Sequence, residues 1–153
     1  MGQRMTMTPT FEDLDVMART VYGEARGEIP SGQIAVAWVV RNRADRASAY
    51  HLAHGKPHPL FGDGTIRMAC KWPSQFSCWN QSDPMRPKLL AAKTATLAAC
   101  LQAAYGVLSR EFADPTGGAL HYYAASMPEP PKWAAGLTPC AVIGAHRFFN
   151  DVS

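Results

Sequence analysis

The chain has 153 residues, 47% of them hydrophobic and 18% charged, with a formal net charge of +3; that is one domain's length, with enough apolar side chain to fill a core. Its longest apolar run, Ile34 to Val40, has seven residues, against the ~20 that a membrane span needs, so membrane insertion is excluded. The positive charge is spread without a Lys/Arg block, which speaks against nucleic acid as a partner.

Met1 to Thr10 carries one Arg and no hydrophobic block behind it. It reads as a disordered leader and not as a secretory signal, ahead of a single domain over residues 11–153; a chain of this kind is expected to be made in the cytoplasm. Leu14, Met17, Ala18, Val21, Tyr22 and Ala25 then fall on one stripe of a helix, and Glu24 falls on its edge. A carboxylate half sunk among apolar neighbours is desolvated, which raises its pKa and keeps a proton available for general acid chemistry. The plainer alternative is a glutamate that reaches water or pairs with Arg19 or Arg26. Gly27 ends the stripe, and Ile29-Pro-Ser-Gly is a turn that starts the next helix near Ser31. Ile34 to Val40 is apolar on every side, so this helix is expected at the centre, with Asn42, Arg43 and Arg46 marking its return to the surface.

From Ser48 to Pro87 prolines, glycines and polar residues predict a long loop. His51, His54 and His58 are close enough in sequence for a metal clip, but no carboxylate or cysteine pattern completes one; the expectation is solvated histidines and no metal or other cofactor. Gln75, Phe76, Ser77, Trp79 and Asn80 combine amides and a hydroxyl with flat rings, which is what a sugar asks of a binding surface. Cys70, Cys78, Cys100 and Cys140 lack zinc-ligand spacing. They are either bridged, with Cys70 and Cys78 clamping the loop between them, or four reduced thiols packed as small hydrophobes.

Lys88 to Leu108 is alanine-rich and reads as one packing helix, with Leu89, Leu90, Ala92, Leu97, Cys100, Leu101, Ala104 and Leu108 as its apolar side. Asp114-Pro-Thr-Gly-Gly is turn chemistry, with Asp114 as the turn-former. It feeds Ala119-Leu-His-Tyr-Tyr-Ala, which alternates as a strand does. Pro128, Pro130 and Pro131 make a loop with Lys132 and Trp133, and Ala141 to Phe149 is a second strand, antiparallel to the first.

Three blocks in this order resemble the cell-wall hydrolase family that includes the spore-cortex-lytic enzymes of bacilli. They are Tyr22-Gly-Glu-Ala-Arg-Gly-Glu with Gly32-Gln-Ile-Ala-Val and Val40-Arg-Asn-Arg; Pro73-Ser-Gln-Phe-Ser; and Asp114-Pro-Thr-Gly-Gly-Ala-Leu-His-Tyr-Tyr with Gly144-Ala-His-Arg-Phe-Phe. The resemblance implies a lysozyme-like α+β fold, a helical domain with a small antiparallel sheet and a cleft into which Glu24 points. It implies peptidoglycan as substrate and cleavage of the glycan between N-acetylmuramic acid and N-acetylglucosamine, with Glu24 as the catalytic acid of a lytic transglycosylase. Gln75, Phe76 and Ser77 match the family's cleft motif and are assigned to substrate contact. Tyr122 and Tyr123 match its paired aromatics, and strand alternation sends them to opposite faces. Thr116, Trp133 and His146 complete the substrate-binding set, although His146 also reads as a satisfied core histidine.

A missing secretory signal suits an endolysin-like, bacteriolytic protein of phages or gene-transfer particles. Such a monomer would act at the wall or periplasm after release by a holin-type partner. The segment around Ala49 to Thr65 reads as an insert that remodels one wall of the cleft. Three rival readings stay open: a hydrolytic muramidase using a second carboxylate, for which Glu28, Asp63, Asp83 and Asp114 are candidates; a non-catalytic wall-binding or particle-structural domain; and an amidase or peptidase using Cys78 with His121 or His146. Glu28 is expected to cap or to pair with a nearby Arg.

Overall fold

The computed structural model describes residues 8–73 and 75–152. Most of the expected leader, residues 1–7, lies outside them. Its last residue is not part of a leader: Thr10 caps the first helix, its hydroxyl accepting from the Asp13 amide while the Asp13 carboxylate accepts from its own, a reciprocal capping box.

That helix, α1, spans Phe11–Ala25 and buries Val16, Met17, Ala18, Thr20, Val21 and Ala25, with Leu14 and Tyr22 half-buried against the same core. Helix α2 spans Pro30–His54, with Pro30 in its first turn and Gly55 as a left-handed cap at its end (φ 68°). Ala35 to Val40 are buried all round, and α2 is the central helix that its apolar run predicts. Its surface exit is different from the expectation. Arg43 is 5% exposed and Arg41 is buried beside it, and of the expected surface markers only Arg46 is fully exposed. The Arg41 guanidinium donates to the last carbonyls of the later helix, at Val107 and Leu108, and Arg43 Nε donates to Leu120 O at 2.7 Å. Both heads are buried because they answer backbone acceptors that α2 cannot see in its own sequence.

The expected loop from Ser48 to Pro87 is largely structured. Helix α2 continues through Ala49 to His54, α3 spans Ile66–Lys71, a 3-10 turn covers Ser77–Trp79, and α4 spans Met85–Ala91. Thr65 caps α3 with its hydroxyl and is itself held by Asp63. His54 and His58 pack against Tyr50, and His58 stacks on Phe61 at 4.7 Å.

The predicted helix Lys88–Leu108 is two helices. Helix α4 stops at Ala91 and α5 runs Thr94–Leu108, with Ala92 in an extended conformation between them. The break is held by Arg19 of α1, whose guanidinium donates to the carbonyls of Leu89 and Ala92. Leu90 falls outside the core at 55% exposure.

The sheet has three antiparallel strands: β1 His121–Ala124, β2 Ala141–Ile143 and β3 His146–Phe149, in the order β1-β3-β2. The expected single strand over Ala141–Phe149 is a hairpin, turned at Gly144 in the left-handed region (φ 56°). Tyr122 pairs with Phe148 and Tyr123 with Arg147. Asp114 forms the turn ahead of β1, accepting from the Thr116 amide and hydroxyl, the Gly118 amide and Asn42 Nδ2. The architecture is α+β, a helical body with a small antiparallel sheet, as expected. No helix among the described residues is long and apolar enough to cross a membrane.

Candidate active site

Glu24 lies one residue from the end of α1, half-buried, where the loop to α2 opens a hollow of about 330 Å³ lined by Glu24 to Glu28, Ala145 and His146. A second cavity of about 400 Å³, between the starts of α1 and α3 and the middle of α2, shares no residue with it.

The surroundings of Glu24 come from three other segments. Cys78 of the 77–79 turn offers its thiol and its backbone amide, Tyr122 of β1 offers its hydroxyl, and Arg43 of α2 supplies a nearby positive charge. Burial pushes the Glu24 carboxyl above its ordinary value, and these donors and the charge pull against it. The donors stay protonated. Burial first and the Glu24 charge second hold the Cys78 thiol well above its usual range, and the same two causes hold Tyr122 far above its own. A thiol in that state is a poor nucleophile. Arg43 is lowered by burial to about 10, so it remains a cation at neutral pH.

The turn bearing Cys78 reaches Glu24 because α1 has a glycine there. A Cβ at Gly23 would sit 2.8 Å from both Cβ and Sγ of Cys78 and 3.1 Å from Leu89. Trp79 fixes the turn from the other side, its indole N–H donating to Thr20 Oγ1 at 2.8 Å.

Glu28 lines the same hollow and pairs with no arginine among the described residues. Its Oε1 accepts from the Ala145 amide at 2.8 Å and lies 3.2 Å from His146 Nδ1. Burial lowers the His146 pKa, and Glu28 opposes the shift. The contact latches the β2-β3 hairpin to the loop after Glu24. Gly144 leaves room for it, since a Cβ there would meet Glu28 Oε1 at 2.7 Å.

The remaining expected contact residues divide. Tyr122 and His146 share the sheet face that meets Glu24, with their rings 5.0 Å apart. Ser77 is exposed and Gln75 half-buried beside Cys78 in sequence. Phe76 points inward and is 2% exposed, under the Arg43 guanidinium at 4.6 Å; it offers a sugar no surface and serves as a packing residue. Thr116 is fully buried in the Asp114 turn, its hydroxyl donating to Asp114 and accepting from the Ala119 amide, so it too has no face for a ligand. Tyr123 packs with Trp133 and Phe149, and Arg147 donates to its hydroxyl; with His121 these residues form the opposite face of the sheet, away from Tyr122. Arg43 and Cys78 as neighbours of Glu24 escape sequence reasoning, for want of any local signal that joins positions so far apart.

All four cysteines are free thiols, Cys70, Cys78 and Cys100 buried and Cys140 exposed; the clamp between Cys70 and Cys78 is not formed. Among the described residues no group of three His, Cys, Asp or Glu side chains is arranged to hold a metal ion.

Residues 27–149 match the family described as cell wall hydrolase, beginning just after Glu24. The fold is similar to the catalytic domain of the SleB protein of Bacillus cereus, at 27% identity and a TM-score of 0.61 over 97% of this chain and 98% of that one. It is also similar to the catalytic domain of the germination-specific lytic transglycosylase SleB of Bacillus anthracis, at 28% identity and a TM-score of 0.59 over 92% and 95%. No curated protein matches the chain. With its matched segment covering most of its length and its fold shared with two SleB catalytic domains, the chain belongs to the cell wall hydrolase family and is a wall-cleaving enzyme.

Proposed function

We propose that this enzyme cuts the glycan strands of peptidoglycan between N-acetylmuramic acid and N-acetylglucosamine, as a lytic transglycosylase with Glu24 as its single catalytic carboxyl group. One observation carries the reading: Glu24 lines an open hollow, burial pushes its carboxyl above the ordinary value and so favours the protonated form, and three donors and a cation favour the carboxylate once the proton is gone. A transglycosylase asks for both states in turn. Protonated Glu24 gives its proton to the glycosidic oxygen as the C1–O bond breaks and C1 gains oxocarbenium character. The resulting carboxylate takes the proton of the muramic acid C6 hydroxyl, and O6 closes onto C1. The product is a 1,6-anhydro end, no water is consumed, and Glu24 is protonated again.

Hydrolysis is the second reading, because Glu28 lines the same hollow. Its Oε1 is engaged by the Ala145 amide and His146, which favours a latch over a nucleophile or base. Tyr122, His146, Gln75 and Ser77 are the surfaces proposed to meet the sugar. A monomer acting at the wall or periplasm, reached through a holin-type partner, completes the proposal.

Mass spectrometry of digested peptidoglycan tests it. The expected product ends are one water lighter than hydrolysed ends, and Glu24→Gln is expected to lose activity by a factor of about 10²–10⁴, the usual worth of a general acid. Hydrolysed ends would transfer the second role to Glu28, and equal clearing by the Gln variant would leave Glu24 without a catalytic part.

A further inference from the structure

Arg43 neither gives nor takes a proton in the bond-breaking and ring-closing steps. The residue is 5% exposed, with its guanidinium carbon 4.6 Å from the centre of the Phe76 ring and 5.3 Å from that of Phe61. Nε is tied to Leu120 O, one residue before β1. Nη1 is buried and has no hydrogen-bond partner among the described residues. An unneutralised buried cation is costly, and the charges its field reaches include Glu24 and the Tyr122 hydroxyl.

We infer that Arg43 is a positioning residue of the active site: a counter-charge behind Glu24 that steadies the ionised carboxylate and ties the Tyr122 strand to the helical body. The inference rests on Glu24 being the acid. It gives the Arg of the Val40-Arg-Asn-Arg block an electrostatic part that the block's place on a helix does not suggest. The rings of Phe61 and Phe76 and the Leu120 carbonyl hold the guanidinium inside the fold, so the charge is kept from water. Phe76, matched to a cleft motif, thus acts on the site from beneath. A fixed cation also balances the two demands on Glu24. Burial favours the neutral acid before bond cleavage, and Arg43 limits the cost of the anion formed afterwards.

The groups that face Glu24 are Cys78 from the 77–79 turn, Tyr122 from β1, Arg43 from α2, and Arg26, Glu28 and His146 around the hollow. Activity that needs protonated Glu24 falls as pH rises through its pKa, and removing a nearby cation raises that pKa. The alkaline limb of the pH profile therefore moves up when the charge is lost.

The experiment measures peptidoglycan solubilisation against pH for wild type, Arg43→Met and Arg43→Lys, with Glu24→Gln as control and a thermal melt for each. Arg43→Met is expected to move the alkaline limb up by roughly half to one pH unit, toward the lower end of what a neighbouring charge does. Arg43→Lys keeps a charge but cannot make the ring stack and the carbonyl bond together, and is expected to move the limb less in the same direction. If Arg43→Met does not fold, Arg43→Gln, which also removes the charge, takes its place. A limb that stays at the wild-type pH in a folded variant that lacks the charge overturns the inference. An active Glu24→Gln enzyme fails the acid assignment instead, so the two failures are told apart.

Discussion

Replacing Glu24 by Gln removes one ionisation and keeps the shape, and the surroundings of the carboxyl group fix the sign of the effect on stability. Burial dominates those surroundings, so the pKa of Glu24 in the folded protein lies above the unfolded value of 4.5. Below the unfolded pKa both states hold the proton and the group contributes nothing to pH dependence. Above the folded pKa both have lost it, and the folded state carries the cost of a desolvated carboxylate, about 1.4 kcal/mol for each unit of difference. The wild type therefore loses stability relative to Glu24→Gln as pH rises from 4.5 through the folded pKa. Cys78, Tyr122 and Arg43 all favour the anion and hold the loss down, so the expected difference is modest, ~1 kcal/mol, within the range that a single stabilising substitution commonly yields. For a chain of this size that is about 2–4 °C in melting temperature. Calorimetry of both proteins at pH 4 and pH 8 is the assay, since every other titrating group is common to the pair and cancels. The expected result is a gap favouring Gln that is wider by this amount at pH 8. A gap that is constant with pH, or a wild type that gains on Gln as pH rises, would refute the reasoning, because the acid would then be more comfortable ionised in the fold than out of it.

Gly23→Ala places a methyl group 2.8 Å from the Cys78 side chain; the turn must retreat, and a loss of about 1–3 kcal/mol in a denaturant titration is expected, together with reduced peptidoglycan clearing. Alkylation of the native enzyme with iodoacetamide at pH 8 is expected to add a single label, at the exposed Cys140, and to leave activity intact, because Cys78 is buried with its thiol held protonated; peptide mapping reads the label, and modification of Cys78 with inactivation would revive a thiol mechanism. His121 is lowered by burial, and next by Arg43, to about 4, so its neutral form is favoured in the fold; the stability this gives is complete above the unfolded value of 6.5 and is lost as pH falls from there toward 4. His121→Phe is therefore expected to flatten the fall in melting temperature across that window.

The parts of the fold legible in the sequence are those set by periodicity and turn chemistry. The α1 stripe places Glu24 at the rim of the core, the apolar run of α2 marks it as central, and the Asp114 turn announces β1. What escaped was set by distant partners. Arg41 and Arg43 look like surface residues until carbonyls from α5 and from the approach to β1 are brought to them. The interruption at Ala92 falls inside a stretch rich in helix formers, and it persists because Arg19 takes the freed carbonyls. The end of α2 was hidden for another reason: Ala49 to His54 has helical propensity with little apolar rhythm, so a search for rhythm alone passes over it. Phe76 shows the limit of motif reading, because a ring in a binding motif can be there to hold a cation in place.

The strand order β1-β3-β2 puts the last of the three strands in chain order in the middle of the sheet. Until His146–Phe149 emerges from the ribosome, neither of the other strands has a neighbour to pair with, and Tyr122 has no frame to present it to Glu24. A chain that stops before the hairpin thus carries its acid but lacks the setting that makes it reactive, and fragments ending there are expected to leave peptidoglycan uncut.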